Sequence, residues 1–121
     1  MAEWRKGEFY SSLGAGNRVK IEADIYGGVA VHRCRNAEGI WGVASVNCGA
    51  LICWIPDQKE ARKVAETLGR KCCVALKEKT KEAIMAKFQP WVLLWAKECI
   101  DLKRWTDPVE FQERLLKEVK Q

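Results

Sequence analysis

Residues 29 to 69, VAVHRCRNAEGIWGVASVNCGALICWIPDQKEARKVAETLG, constrain the fold more than any other stretch. Val29, Val31 and Arg33 alternate with Ala30, His32 and Cys34. A strand points successive side chains to opposite faces, so the alternation predicts a half-buried strand. Asn36-Ala37-Glu38-Gly39 supplies turn chemistry, and Ile40 to Val46 is rich in β-branched and aromatic residues. Asn47-Cys48-Gly49 reads as a second turn and Ala50 to Ile55 as a third apolar strand. Connections this short imply antiparallel neighbours.

Pro56-Asp57 ends the sheet. Asp57 is placed to cap a helix, with Glu60 three residues on as the second half of a capping box. Ala61, Val64, Ala65 and Leu68 recur at helical spacing, and Gly69 reads as the stop. Upstream, Arg18 to Tyr26 alternates cleanly: Val19, Ile21, Ala23 and Ile25 on a dry face, Lys20, Glu22 and Asp24 on a wet one. Gly27-Gly28 turns that strand into the next. Met1 to Asn17 reads as a polar lead-in with scattered aromatics, ending in a loop from Ser11.

Downstream, residues 70–76 fit a short strand or a helix equally well. Thr80 caps a helix running to about Phe88. Pro90 sits where a helix begins, and Trp91, Trp95, Cys99 and Leu102 form its apolar stripe, widened by Val92, Leu94 and Ile100. Thr106-Asp107-Pro108-Val109-Glu110 starts a last helix with Phe111, Leu115 and Val119 inward. The expected fold is α+β: a four-stranded antiparallel meander over residues 18–55, then three to four helices packed on one face. Residues 1–121 form a single domain, with sheet and first helix at 18–69 and a helical part at 77–120.

A chain of 121 residues, 48% apolar, can bury a core without metal or disulfide staples. No apolar run reaches the ~20 residues of a spanning helix. The first residues lack the apolar centre of a signal peptide, so the expected location is cytoplasmic, with no membrane contact. In that setting the six cysteines read as packed thiols.

No catalytic constellation stands out. His32 is the single histidine, and no thiol is paired with a base by sequence. His32, Cys34, Cys48 and Cys53 lack the tight C-x2-C spacing of zinc sites. The expectation is therefore no enzyme, no metal and no cofactor.

Charge points elsewhere. Residues 59–81 hold Lys59, Arg62, Lys63, Arg70, Lys71, Lys77, Lys79 and Lys81 against Glu60, Glu66 and Glu78, an excess equal to the whole-chain +5. Such local clustering favours a polyanion partner. In addition, Glu38-Gly39-Ile40-Trp41 entering the second strand and Pro56-Asp57-Gln58-Lys59-Glu60-Ala61 opening the helix resemble the three-stranded-sheet-plus-helix unit of AP2-type and integrase arm-type DNA-binding domains. The resemblance covers about a third of the chain. It implies a helix that backs the sheet and an open sheet face that enters a groove, making His32, Arg33, Arg35 and Trp41 candidate contacts.

The expected function is a small non-enzymatic protein, regulatory or carried by a mobile element, that associates with DNA or RNA. Arg62, Lys63, Arg70, Lys71, Lys77 and Lys81 would hold phosphate, with Arg33, Arg35 and Trp41 on the sheet. The alternative is a protein-binding adaptor or inhibitor, a homodimer through a tryptophan-rich helix carrying Trp91, Trp95 and Trp105.

Overall fold

The computed structural model describes residues 4–12, 18–33 and 38–120. Five strands, β1 (Trp4–Ser12), β2 (Arg18–Tyr26), β3 (Val29–Arg33), β4 (Trp41–Ser45) and β5 (Leu51–Ile55), form one antiparallel sheet in sequence order. Four helices follow: α1 (Gln58–Lys71), α2 (Lys81–Lys87), α3 (Pro90–Leu102) and α4 (Pro108–Lys120). The α+β class holds, but the meander has five strands and not four. The lead-in is strand β1, which pairs with β2 from Trp4↔Tyr26 to Ser12↔Arg18. Its residues carry no simple apolar alternation, because charged and aromatic side chains share a face. Pairing with β2 decides the conformation where local preference does not. The Gly14-Ala15-Gly16 part of the expected loop lies outside the described residues.

The register sorts the side chains onto two faces, since residues directly opposite share a face. On one face, Val29 and Val31 of β3 meet Val43 of β4 and Cys53 and Ile55 of β5. α1 covers this face with Ala61, Val64, Ala65 and Leu68, as its apolar spacing predicts. At β2 the phase is opposite. Asp24 pairs with Val31 and Ile25 with Ala30, so the wet face of β2 looks toward α1 and its dry face looks away. That dry face builds a second, smaller core of Phe9, Ile25, Ala30 and Ala44.

Asp57 caps α1 by accepting from the Glu60 N–H at 3.1 Å. The helix does not stop at Gly69; it runs to Lys71, and the Cys72 N–H closes it on the Leu68 carbonyl. The glycine serves contact instead. A Cβ there would lie 2.9 Å from the Tyr26 ring, so its absence lets α1 approach β2. Residues 70–76 resolve as the helix end and a 3-10 turn at Ala75–Lys77 with Ala75 and Leu76 buried.

Thr80 caps α2 through the Ala83 N–H, and Pro90 opens α3, both as the sequence predicts. The buried stripe of α3 is Val92, Trp95, Ala96 and Cys99. Relative to expectation it is rotated: Leu94 and Leu102 are exposed. α3 packs against β5 and α4, and its apolar surface is wider than these neighbours cover. Trp95 is fully buried and donates its indole N–H to the Thr106 carbonyl at 2.6 Å. Asp107 accepts from the Val109 N–H to start α4, and Phe111 turns inward. No helix among the described residues is long and apolar enough to cross a membrane.

Candidate functional site

Three basic residues of α1, Arg62, Lys63 and Arg70, are drawn into contacts within the molecule. Arg62 bonds the Asp24 carboxylate at 2.8 Å, and its guanidinium lies 5.0 Å from the centre of the Trp4 ring. Lys63 lies 3.6 Å from Glu60 and 5.6 Å from the Trp105 ring. Arg70 bonds Glu66 at 3.1 Å and donates to the Tyr26 hydroxyl at 3.2 Å, a bond that holds its guanidinium more firmly protonated. Trp4 completes this network: its indole N–H donates to Glu66 at 2.8 Å, and its ring leans on Tyr26. The arginines therefore tie β1 and β2 to α1. Asp24 lies 38 residues from Arg62, outside the stretch whose charges were counted, whereas Glu66 sits one turn from Arg70 on the same helix.

Four lysines from the end of α1 to the start of α2 behave differently. Lys71, Lys77, Lys79 and Lys81 are exposed, and none has a carboxylate partner among the described residues. Lys77 and Lys79 lie on the connector between α1 and α2, and Lys71 and Lys81 flank it at the two helix ends. That connector is anchored: Asn47, in the β4–β5 turn, donates to the Lys77 carbonyl at 2.7 Å and to the Glu78 carbonyl at 2.8 Å. Glu78 itself is bonded to Lys87. Asn47 was read only as a turn former, and nothing in the sequence links it to a segment thirty residues on.

On the sheet, Arg33 and Trp41 are direct cross-strand partners, with the guanidinium 5.4 Å from the ring centre. They share the α1 face. His32 points to the other face, where its Nδ1 donates to the Arg33 carbonyl at 2.9 Å and its ring meets Phe9. Arg35 lies outside the described residues. Of the tryptophans expected at an interface, Trp95 is enclosed in the core, and Trp91 and Trp105 are half-buried. Trp105 donates to the Thr67 hydroxyl at 3.0 Å. The exposed apolar side chains of this region are Leu93, Leu94 and Leu102 on α3 and Val109 and Leu116 on α4.

A cleft of about 780 Å³ lies against β1, β2 and β3 near the start of α1, lined by Lys6, Glu22, Asp24, His32, Arg33 and Trp41 among others. Among the described cysteines, Cys48, Cys53, Cys72 and Cys99 are buried and Cys73 is exposed. Burial, with Cys99 nearby, pushes the Cys53 thiol far above its ordinary range. Burial pushes Cys72 and Cys99 up to about 11. Cys53 faces α1 while His32 faces away, so these two do not converge on one ion. No group of three metal-binding side chains occurs among the described residues.

Fold and surfaces define an α+β protein with an open-ended meander and a lysine-bearing connector. Compared with known protein families, with characterised proteins and with solved structures, the chain shows no match.

Proposed function

We propose that this protein is a non-enzymatic nucleic-acid-associated protein that holds the phosphate backbone through the connector between α1 and α2. The observation that supports the reading is the set of four exposed lysines there, Lys71, Lys77, Lys79 and Lys81, without carboxylate partners among the described residues and on a backbone anchored by Asn47. Lysine is a point charge that suits phosphate oxygens without fixing a base edge. Contact of this kind is largely independent of sequence and releases counterions. Arg33 stacked on Trp41 offers a further cation on the sheet.

The test is fluorescence anisotropy with duplex DNA, single-stranded DNA and RNA of random sequence. Four phosphate contacts on duplex DNA predict a loss of about 150-fold in affinity between 50 and 200 mM salt. Replacing the four connector lysines by glutamine removes that slope, while Arg62→Gln leaves it unchanged. No binding at 50 mM salt sinks the reading.

A second reading rests on the exposed leucines of α3, Leu93, Leu94 and Leu102, which suit self-association into the dimeric adaptor. Sedimentation decides it: a dimer that Leu94→Glu converts to monomer supports it, and a monomer at all concentrations removes it.

A further inference from the structure

We propose that a second cleft, between the end of α1 and the bend from α2 to α3, takes one unpaired nucleobase of a single strand. This rests on the phosphate-contact reading and names the form of nucleic acid that the protein favours. The cleft holds about 600 Å³, within the roughly 300–1,000 Å³ of small-molecule sites. Residues 71–75 bound it on one side, and the bend around Phe88 and Trp91, with Gln112 of α4, on the other. Phe88 and Gln89 are extended, as the residue before a proline prefers, so the chain turns there before Pro90 opens α3.

The charge of the cleft has one sign. Lys71 and Lys87 are the charged side chains that line it. Lys87 is bonded to Glu78, whereas Lys71 is exposed and has no carboxylate partner among the described residues. Lys71 is thus the cation at hand for a phosphate. The apolar lining is largely aromatic. Phe88 and Val92 are buried, while Trp91 is half-buried and keeps part of its surface accessible. The Trp91 indole N–H donates to Gln89 Oε1 at 2.8 Å, which holds the ring in place. A ring already fixed loses little freedom on stacking, and every base has a π-face to offer it. Two amides add polar groups. Gln89 keeps its Nε2 as a donor, and Gln112, whose Nε2 donates to the Pro108 carbonyl at 3.2 Å, keeps its Oε1 as an acceptor. A donor and an acceptor near an aromatic wall suit the edge of a base. Bases inside a duplex are stacked and paired, whereas a single strand can turn one out. Lys77 and Lys79 follow along the connector for the neighbouring phosphates.

The test uses a single strand of about ten nucleotides, the same strand without its bases, and the duplex, each bound to the full chain at 50 mM salt and followed by anisotropy. The abasic strand keeps every phosphate. The intact strand should bind about ten-fold more tightly than the abasic one. Trp91→Ala should erase that advantage and leave the abasic affinity unchanged; Trp91→Phe, which keeps a ring, should retain most of it. Lys71→Gln should weaken both strands alike. In NMR the Trp91 indole signal should move with the intact strand and stay put with the abasic strand and the duplex. Equal binding of intact and abasic strands overturns the inference and leaves the phosphate-contact reading standing. An advantage that survives Trp91→Ala does the same. A nucleoside monophosphate that moves the indole signal, with no advantage for the intact strand, overturns the single-strand assignment in favour of a free nucleotide. Failure of every strand to bind sinks the phosphate-contact reading and this inference with it.

Discussion

The two halves of the sheet are joined to the rest of the molecule by different physics. β3, β4 and β5 are fastened to α1 by Val29, Val31, Val43, Cys53 and Ile55, all nearly inaccessible to water. β1 and β2 reach the same helix through polar and aromatic ties: Arg62 to Asp24, Trp4 to Glu66 and Arg70 to Tyr26. Of their apolar side chains, Phe9 and Ile25 build the small second core, and Trp4 leans on the edge of the larger one. Burial of apolar area is worth more than partly exposed ion pairs, so the β1–β2 ribbon is the weaker half. The ribbon is also joined to its neighbour by the shortest ladder among the described strands, from Asp24↔Val31 to Tyr26↔Val29.

The largest effect expected on this contrast comes from Trp95→Ala, which empties the middle of the larger core and strands the Thr106 carbonyl. Urea denaturation should show a loss of about 3–5 kcal/mol. Phe9→Ala, in the second core, should cost about 2–3 kcal/mol because the ribbon can settle over the gap. Equal losses would break the comparison.

Gly69→Ala tests how closely α1 must approach β2. Alanine is the better helix former by about 1 kcal/mol. Its Cβ, however, would sit 2.9 Å from a Tyr26 ring held by Trp4 and Arg70. Overpacking should win, with a net loss of about 1–2 kcal/mol and a lower Tm. A rise in Tm would mean that the ribbon yields freely.

Asn47→Ala removes both bonds to the connector and should cost about 1–2 kcal/mol. Faster amide exchange confined to residues 71–81 would show a local effect, and loss spread over both halves would not.

The larger core carries a pH signature. Cys72 and Cys99, both in the larger core, have folded-state values raised to about 11 from an ordinary 9. The unfolded chain therefore releases these protons first as pH rises. Stability should be full below about pH 9 and should fall as pH climbs toward 11, followed as the urea midpoint. The fall should shrink in Cys99→Ala.

The smallest effect concerns α3. It ends at Lys103 with φ 59°, a left-handed conformation that glycine adopts without strain. Lys103→Gly should gain about 0.5–1 kcal/mol, measured by thermal denaturation, and leave the ribbon unchanged.

Much of the fold was legible in local patterns. The strands from Arg18 to Ile55, the Asp57 and Thr80 caps and the Pro90 and Pro108 starts all follow from short-range chemistry, which needs no distant partner. β1 was not legible, because a strand of mixed character is defined by the strand beside it. The site was less legible still. A count of lysines and arginines is a property of the chain, but whether each is free depends on carboxylates brought in from elsewhere. Arg62 is taken by Asp24, 38 residues away, while Lys77 and Lys81 have no carboxylate partner among the described residues.

The amino-acid sequence by itself determined the order of the elements, their ends and the apolar stripes that had to be buried. Hydrogen bonding, capping and side-chain periodicity act over a few residues, and a chain carries that information locally. Tertiary structure alone decided which face of β2 meets α1, that Asp24 takes Arg62 and that Asn47 anchors the connector. Each of these depends on groups dozens of residues apart, whose distances exist only once the chain has closed on itself.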